Sequence, residues 1–171
     1  QKGVLSGDRV LLLYAPGLEF ISSFLGCLYA GVIAVPAYPP MKSRLIQNFD
    51  RLEKITRDSD PKMILCDTVV SDVMSATGKL DADVKSDYRV LDLSYYETAD
   101  LTYAVEPAIP SIDSDSVAFI QYTSGSTGDP KGVVVTHANL MDNSKQIGRL
   151  FRTEIYTRGV SWLPQYHDMG L

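Results

Sequence analysis

Between Tyr122 and Val133 the chain reads YTSGSTGDPKGV, placing Thr123, Ser124, Ser126 and Thr127, the glycines Gly125, Gly128 and Gly132, and Pro130 and Lys131 within twelve residues. Glycine has no Cβ to block close approach and tolerates positive φ, so such a loop exposes its backbone N–H groups. Successive exposed N–H groups form a concave nest for anions, hydroxyls add directional donors, and a lysine adds a compact positive charge. The ligand class this implies is a polyphosphate. The pattern is not the common phosphate loop G-x-x-x-x-G-K-[ST]. Counted from Gly125, Pro130 stands where the second glycine belongs, and Gly132 follows Lys131 where Ser or Thr belongs. The flanks differ too: Val117 to Tyr122 (VAFIQY) and Gly132 to Thr136 (GVVVT) are apolar and rich in β-branched residues, giving strand, loop, strand. The plain alternative is a Gly/Ser-rich hairpin turn without a ligand, for which the loop is long and poor in side chains to pack it.

A second candidate lies at LPQYHDMGL, Leu163 to Leu171, delivered by a predicted strand over Gly159 to Leu163 (GVSWL). Open α/β sheets place ligand groups at the carboxyl ends of their strands. His167 and Asp168 are not a hydrolase pair, because no G-x-S-x-G elbow exists and adjacent residues of an extended segment point apart. Taken by itself, a histidine beside Trp162 and Tyr166 is a hydrogen-bonded structural residue. His137, just past the second strand of the loop, is read as a helix-start residue.

The elements that must position these groups follow from periodicity. Asp8 to Ala15 reads as a strand buried on both faces. From Leu18 the spacing of Leu18, Ile21, Leu25 and Leu28, widened by Phe20, Phe24 and Tyr29, predicts a buried helix ending at Gly31. Val32 to Val35 is the next strand, ended by Pro36. Ser43 to Asp58 is an amphipathic helix with Leu45, Phe49, Leu52 and Ile55 inward and Arg44, Arg51, Lys54 and Asp58 on a solvated face. Lys62 to Cys66 predicts a strand, Val69 to Met74 a helix and Arg89 to Leu93 another strand. From Tyr95 to Ser116 the pattern breaks down into a connector containing Pro107, Pro110 and SIDSDS. His137 to Phe151 predicts a helix with Leu140, Ile147 and Phe151 on one side. Strands alternating with helices imply an α/β fold with a largely parallel sheet flanked by helices on both faces.

The chain has 171 residues, 45% hydrophobic and 22% charged, with a net charge of −5. That suits a soluble globular domain or part of one, and argues against a nucleic-acid-binding surface, which needs a basic face. Cys27 and Cys66 sit in apolar runs without ligand spacing and are read as buried reduced thiols of a cytoplasmic protein. No charge occurs between Glu19 and Lys42, a span long enough to cross a bilayer. Pro36, Pro39 and Pro40 divide it into helix, turn and strand, so no stable membrane insertion is expected. The chain begins at Gln1 and stops straight after the His167 motif, as expected of a piece of a longer protein truncated at both ends.

Three stretches together resemble one family. YTSGSTGDPKGVVVTHANL, Tyr122 to Leu140, is similar to the phosphate-binding signature of the adenylate-forming superfamily of acyl-CoA synthetases, nonribosomal adenylation domains and luciferases. LGCLYAGVIAVPAYPP, Leu25 to Pro40, resembles an upstream core motif of these enzymes. LPQYHDMGL resembles the form that fatty acyl-AMP ligases carry. The resemblance covers essentially the whole chain and implies a partial N-terminal adenylation (AMP-binding) domain, residues 1–171, without the C-terminal subdomain. It further implies ATP and Mg2+ as cofactors. Thr123, Ser124, Gly125, Ser126, Thr127, Gly128 and Lys131 would hold the β- and γ-phosphates, and His167 would lie near the α-phosphate and the acyl carboxylate. Lys131 and His167 would thus be the catalytic pair, and His167 and Asp168 the substrate contacts. The implied reaction makes a fatty acyl-adenylate and pyrophosphate, then passes the acyl group to the phosphopantetheine thiol of an acyl carrier protein, in lipid, polyketide or nonribosomal peptide synthesis. An acyl-CoA synthetase, an amino-acid adenylation domain using Asp168 to pair an amine, and a non-catalytic nucleotide-binding module are the alternatives. Later family motifs, including the magnesium-associated glutamate and the C-terminal catalytic lysine, would lie past Leu171, so the chain alone is expected to be inactive.

Overall fold

β1, Arg9–Leu13, is apolar from its second residue onward because both of its faces are covered. Val10 and Leu12 enter one core cluster, Leu11 and Leu13 another, and Leu11, Leu12 and Leu13 are each 0% exposed. The computed structural model describes residues 3–39, 45–77, 95–97, 110–124 and 129–167. Along these the chain runs through α1 (Leu18–Ala30), β2 (Ile33–Ala37), α2 (Leu45–Ser59), β3 (Met63–Cys66), α3 (Thr68–Thr77), β4 (Tyr95–Glu97), β5 (Val117–Ser124), β6 (Pro130–Thr136) and α4 (His137–Phe151). The six described strands are ordered β4-β3-β1-β2-β5-β6, with every pairing parallel except the antiparallel β5–β6 hairpin. The largely parallel sheet is therefore as expected.

The two faces of the sheet have separate cores. α1 contributes Phe20, Phe24 and Cys27 to one, against Val10, Leu12, Ala34 and Phe119. α2 contributes Phe49, Leu52 and Ile55 to the other, against Leu11, Leu13, Val35, Ile64 and Tyr122. Consecutive strand residues point to opposite faces, so each core is the alternate set of the same strands. Both cysteines are buried and neither is in a disulfide, and burial pushes the Cys27 thiol up to about 12, consistent with an inert core residue.

Several boundaries and faces differ from expectation. α1 ends at Gly31, whose φ of 66° is left-handed, but its buried stripe is Phe20, Ser23, Phe24 and Cys27. Leu18, Ile21, Leu25 and Tyr29, assigned inward by spacing, are 76%, 40%, 46% and 68% exposed. Both stripes have helical spacing, and in a helix apolar all round the sheet selects the aromatic one, which stacks Phe20 on Phe24 and sets Phe24 edge-on to Phe119. β2 continues through Pro36 to Ala37 instead of ending there. Pro36 pairs in register with Leu12, whereas the ladder to β5 consists of Ala34↔Phe119 alone, so proline's missing N–H lies beyond that pairing. Tyr95–Glu97, read as connector, is an edge strand parallel to β3, too short to show a period. The predicted strand Arg89 to Leu93 lies outside the described residues.

Gly159 to Leu163 is not a strand. It has no ladder partner among the described residues, and Val160 and Trp162 are 97% and 89% exposed. α4 has the expected bounds and starts at a capping box: the Thr136 hydroxyl accepts from the Asn139 N–H, and the Asn139 side chain accepts from the Thr136 N–H. His137 is its first residue, donating its backbone N–H to the Ser116 carbonyl, as a helix-start residue does. Leu140 is half-buried, while Ile147 and Phe151 are exposed. The charge-free run after Glu19 is divided between α1 and β2. No helix among the described residues is long and apolar enough to cross a membrane.

Candidate phosphate-binding site

The glycine-rich stretch is a hairpin. β5 extends past Tyr122 to Ser124 and β6 begins at Pro130, two residues earlier than the apolar pattern indicates, with Tyr122 opposite Gly132, Thr123 opposite Lys131 and Ser124 opposite Pro130. Directly opposed residues of an antiparallel pair share a face. Thr123 and Lys131 thus project together, and the Lys131 side chain is exposed. Gly125, Ser126, Thr127 and Gly128 lie outside the described residues, as does Asp168.

Alternation fixes which face this is. Phe119, two steps along, belongs to the α1-side core, and Gln121 on the same face reaches the Tyr166 carbonyl with its side-chain amide at 3.4 Å. The Thr123–Lys131 face is therefore the one turned to the segment that carries His167. That segment is anchored by Tyr166, 8% exposed, whose ring meets Tyr38 edge-on at 4.8 Å. His167 makes a similar contact with Tyr38 at 6.1 Å, and its backbone N–H donates to the Pro164 carbonyl. Burial, then Tyr38, raises the Tyr166 phenol above its usual range. Tyr38 directly follows β2, so the His167 segment lies beyond the carboxyl end of β2 and beside Gln121 of β5.

The opposite face of the hairpin belongs to α2. Lys54 and Asp58 are exposed, as a solvated face requires, yet both engage the hairpin, and the reading is corrected at Arg51, which is half-buried against it. An Arg51 Nη donates to the Tyr122 carbonyl at 3.3 Å, Lys54 pairs with Asp129 at 2.9 Å, and the Tyr122 hydroxyl donates to Asp58. These positions, spaced by three and four residues, form one helical stripe beside the apolar one. The available signal was an arginine and an aspartate bordering a buried stripe, just after the AYPP motif.

Gly132 has a specific role in this packing. A Cβ there would lie 2.9 Å from Ile120 Cγ2 and 3.1 Å from Tyr122 Cζ, because the tyrosine ring crosses the glycine on its way to Asp58. Gly132→Ala is expected to displace that ring and destabilise the complete protein by about 1–3 kcal/mol, the range for overpacking, seen as a lower urea midpoint.

Burial, and then Asp58, raises the Tyr122 phenol well above its usual range. The neutral phenol is favoured by folding, so its contribution is whole below the unfolded value, roughly pH 10, and is lost as pH climbs toward the folded one. Tyr122→Phe should flatten the fall in stability above about pH 10. Denaturant melts of the wild type and variant across that range would reveal the difference, and parallel curves would contradict it.

Elsewhere, an open groove of about 690 Å³ separates α1 from α4, lined by Leu25, Leu28, Tyr29, His137 and Met141 among others, and includes neither Lys131 nor His167. The candidate site instead shows unmet polar atoms. Arg51 Nε, Gln121 Oε1 and Gln165 Oε1 are buried without hydrogen-bond partners among the described residues, and their residues surround the Tyr38–Tyr166 contact. Buried polar atoms are normally paired, so such a group fits a site that a polar ligand completes. Ammonium and hydroxyl on one face fit phosphate oxygens.

The sequence model of the family described as AMP-binding enzyme matches residues 1–171. The chain belongs to the AMP-binding enzyme family. Among relatives of this AMP-binding chain is JamA of Moorena producens (strain JHB), a medium-chain-fatty-acid–[acyl-carrier-protein] ligase. It is 38% identical over 172 residues, covering 100% of this chain and 28% of JamA. The fatty acid AMP ligase of Legionella pneumophila superposes with a TM-score of 0.80 at 42% identity, covering 99% of this chain and 28% of that one. A fatty acyl-adenylate ligase from L. pneumophila, solved in complex with acyl adenylate and pyrophosphate, matches with a TM-score of 0.80 at 41% identity, again over 99% and 28% of the two chains. The AMP-binding chain thus spans a little over a quarter of these proteins, and its sheet and helices match the N-terminal part of adenylate-forming enzymes.

Proposed function

We propose that the complete protein is a fatty acyl-AMP ligase and that this chain is part of its N-terminal adenylation domain. The observation that carries the reading is the shared face of Thr123 and Lys131, the face of β5 that Gln121 turns to the segment of His167 past the carboxyl end of β2. The fatty-acid branch is supported by relatives that are fatty-acid ligases by name.

In this reading Thr123, Ser124, Gly125, Ser126, Thr127, Gly128 and Lys131 hold the β- and γ-phosphates of ATP. A carboxylate carries the same sign of charge as the nucleotide, so its approach needs that charge neutralised and the two reactants aligned. A lysine about 4 Å from a phosphate oxygen gains roughly 4 kcal/mol at an effective dielectric near 20, before desolvation is subtracted. A carboxylate oxygen of the fatty acid bonds to the α-phosphorus, the bond to the bridging oxygen of the β-phosphate breaks, and pyrophosphate leaves with the electron pair. His167 orients the α-phosphate and the acyl carboxylate, and Asp168 is assigned as a second substrate contact. Mg2+ would add further neutralisation of the phosphate charge when bound. The acyl group then passes to the phosphopantetheine thiol of an acyl carrier protein in the cytoplasm, and the 171 residues alone are inactive.

The test is fatty-acid-dependent exchange of labelled pyrophosphate into ATP by the complete protein, followed by transfer assays with holo acyl carrier protein and with CoA. Exchange with fatty acids and transfer to the carrier protein support the reading. Preferred transfer to CoA would make it an acyl-CoA synthetase, and exchange with amino acids alone would make it an amino-acid adenylation domain. Exchange by the isolated chain would overturn its inactivity.

A further inference from the structure

Arg51 reaches one half of the candidate site directly and the other through Tyr38, a second link beside the direct bond from Gln121 to the Tyr166 carbonyl. Its Nη donates to the carbonyl of Tyr122, one residue before the phosphate-contacting stretch. Its guanidinium carbon lies 5.6 Å from the centre of the Tyr38 ring, and that ring in turn carries Tyr166 and His167. Its Nε is buried without a hydrogen-bond partner among the described residues, an unfavourable state for a charged group. Nothing in α2 requires this: Phe49, Leu52 and Ile55 fill its core stripe, so a lysine or glutamine at position 51 would serve solubility equally well.

We propose that Arg51 is a positioning residue for adenylation, setting the His167 segment at a fixed distance from the phosphate hairpin. The chemistry of the guanidinium suits the task. It is a planar fork that donates in its own plane while its face stacks on an aromatic ring, so one rigid group can orient a backbone carbonyl and a side-chain ring at once. Tyr38 transmits the position, because it lies between Arg51 on the α2 side of the sheet and Tyr166 in the α1-side core. Arg51 need not touch either substrate. It acts by holding the groups that bind the triphosphate and those that face the carboxylate at the separation an in-line attack demands, where misplacement by about 1 Å can cost as much as 10²-fold.

The inference rests on the fatty acyl-AMP ligase reading for its effect on rate, but its geometry is testable without any activity. In the complete protein, Arg51→Met, which keeps the length of the stem, should lower kcat for pyrophosphate exchange by about 10- to 100-fold with KM for ATP changed less than about threefold. Arg51→Lys should recover only a minor part of the loss, since an ammonium cannot donate and stack together. In a Tyr38→Leu background the further effect of Arg51→Met should shrink to less than about threefold, because the path it acts through is already gone. Hydrogen exchange of the same variants, with no substrate present, should show lost protection in 117–124, 129–136 and 163–167 together, with β1 and α1 unchanged. A kcat within twofold of wild type, full rescue by lysine, equal effects in both backgrounds, or lost protection confined to the hairpin would each overturn the proposal. If the wild type exchanges no pyrophosphate with any fatty acid, the ligase reading fails, and the hydrogen-exchange pattern alone decides whether Arg51 links the two segments.

Discussion

Replacing Lys131 with alanine in the complete protein is expected to lower the rate of acyl-adenylate formation by about 10²–10³-fold, the usual cost of deleting one preorganised group aimed at developing charge. Lys131 stands opposite Thr123 at the end of the ladder where β5 passes into β6, with its side chain exposed, so the change creates no cavity. The thermal midpoint should stay near that of the wild type, which separates loss of chemistry from loss of fold. Pyrophosphate exchange under saturating ATP and fatty acid measures the first, and a melting curve measures the second. Lys131→Arg should restore part of the rate, because the charge returns on a broader, planar head that cannot take the position of a compact ammonium. Unchanged exchange in the alanine variant would favour a nucleotide-binding module without catalysis.

Leu52→Ala should cost about 2–5 kcal/mol, the range for emptying a buried leucine site. Leu52 is 2% exposed and packs in the α2-side core with Leu11, Leu13, Val35, Ile64 and Tyr122. The urea midpoint should fall with the slope of the transition unchanged, the signature of lost stability without a change in the surface exposed. The helix that loses Leu52 also carries Arg51, Lys54 and Asp58, so the hairpin should loosen along with the core. Lys54→Ala makes the contrast: it removes a solvent-exposed pair with Asp129, and pairs of that kind contribute little. Its midpoint should match the wild type.

Much of the architecture was legible because strands and helices in this chain advertise themselves by different means. β1 is a short run, apolar after Arg9 and closed by Pro16 and Gly17, and α2 has a clean apolar stripe with Phe49, Leu52 and Ile55 buried as expected. The strand, loop, strand arrangement of the phosphate stretch could be read from its two apolar flanks. α1 was harder, because a helix with apolar residues all round carries two equally spaced stripes, and only packing against Phe119 chooses between them. Gly159 to Leu163 has the composition of a strand, but composition cannot supply a hydrogen-bonding neighbour. At the site, Lys131 and His167 were visible as residue types with obvious chemistry. Arg51 and Asp58 were not, because a charged residue on an amphipathic helix looks the same whether it faces water or a neighbouring hairpin.

The way Arg51 grips the hairpin bears on how such contacts can be traced through evolution. It binds a main-chain carbonyl, and every residue type supplies one, so the bond places no demand on the identity of the side chain at position 122. Co-varying pairs in an alignment report contacts between side chains. The link from Tyr122 to Asp58 should leave such a trace, since a phenol must be matched by an acceptor. The link from Arg51 to the same residue should leave none, and would be missed by any contact map inferred from correlated substitution.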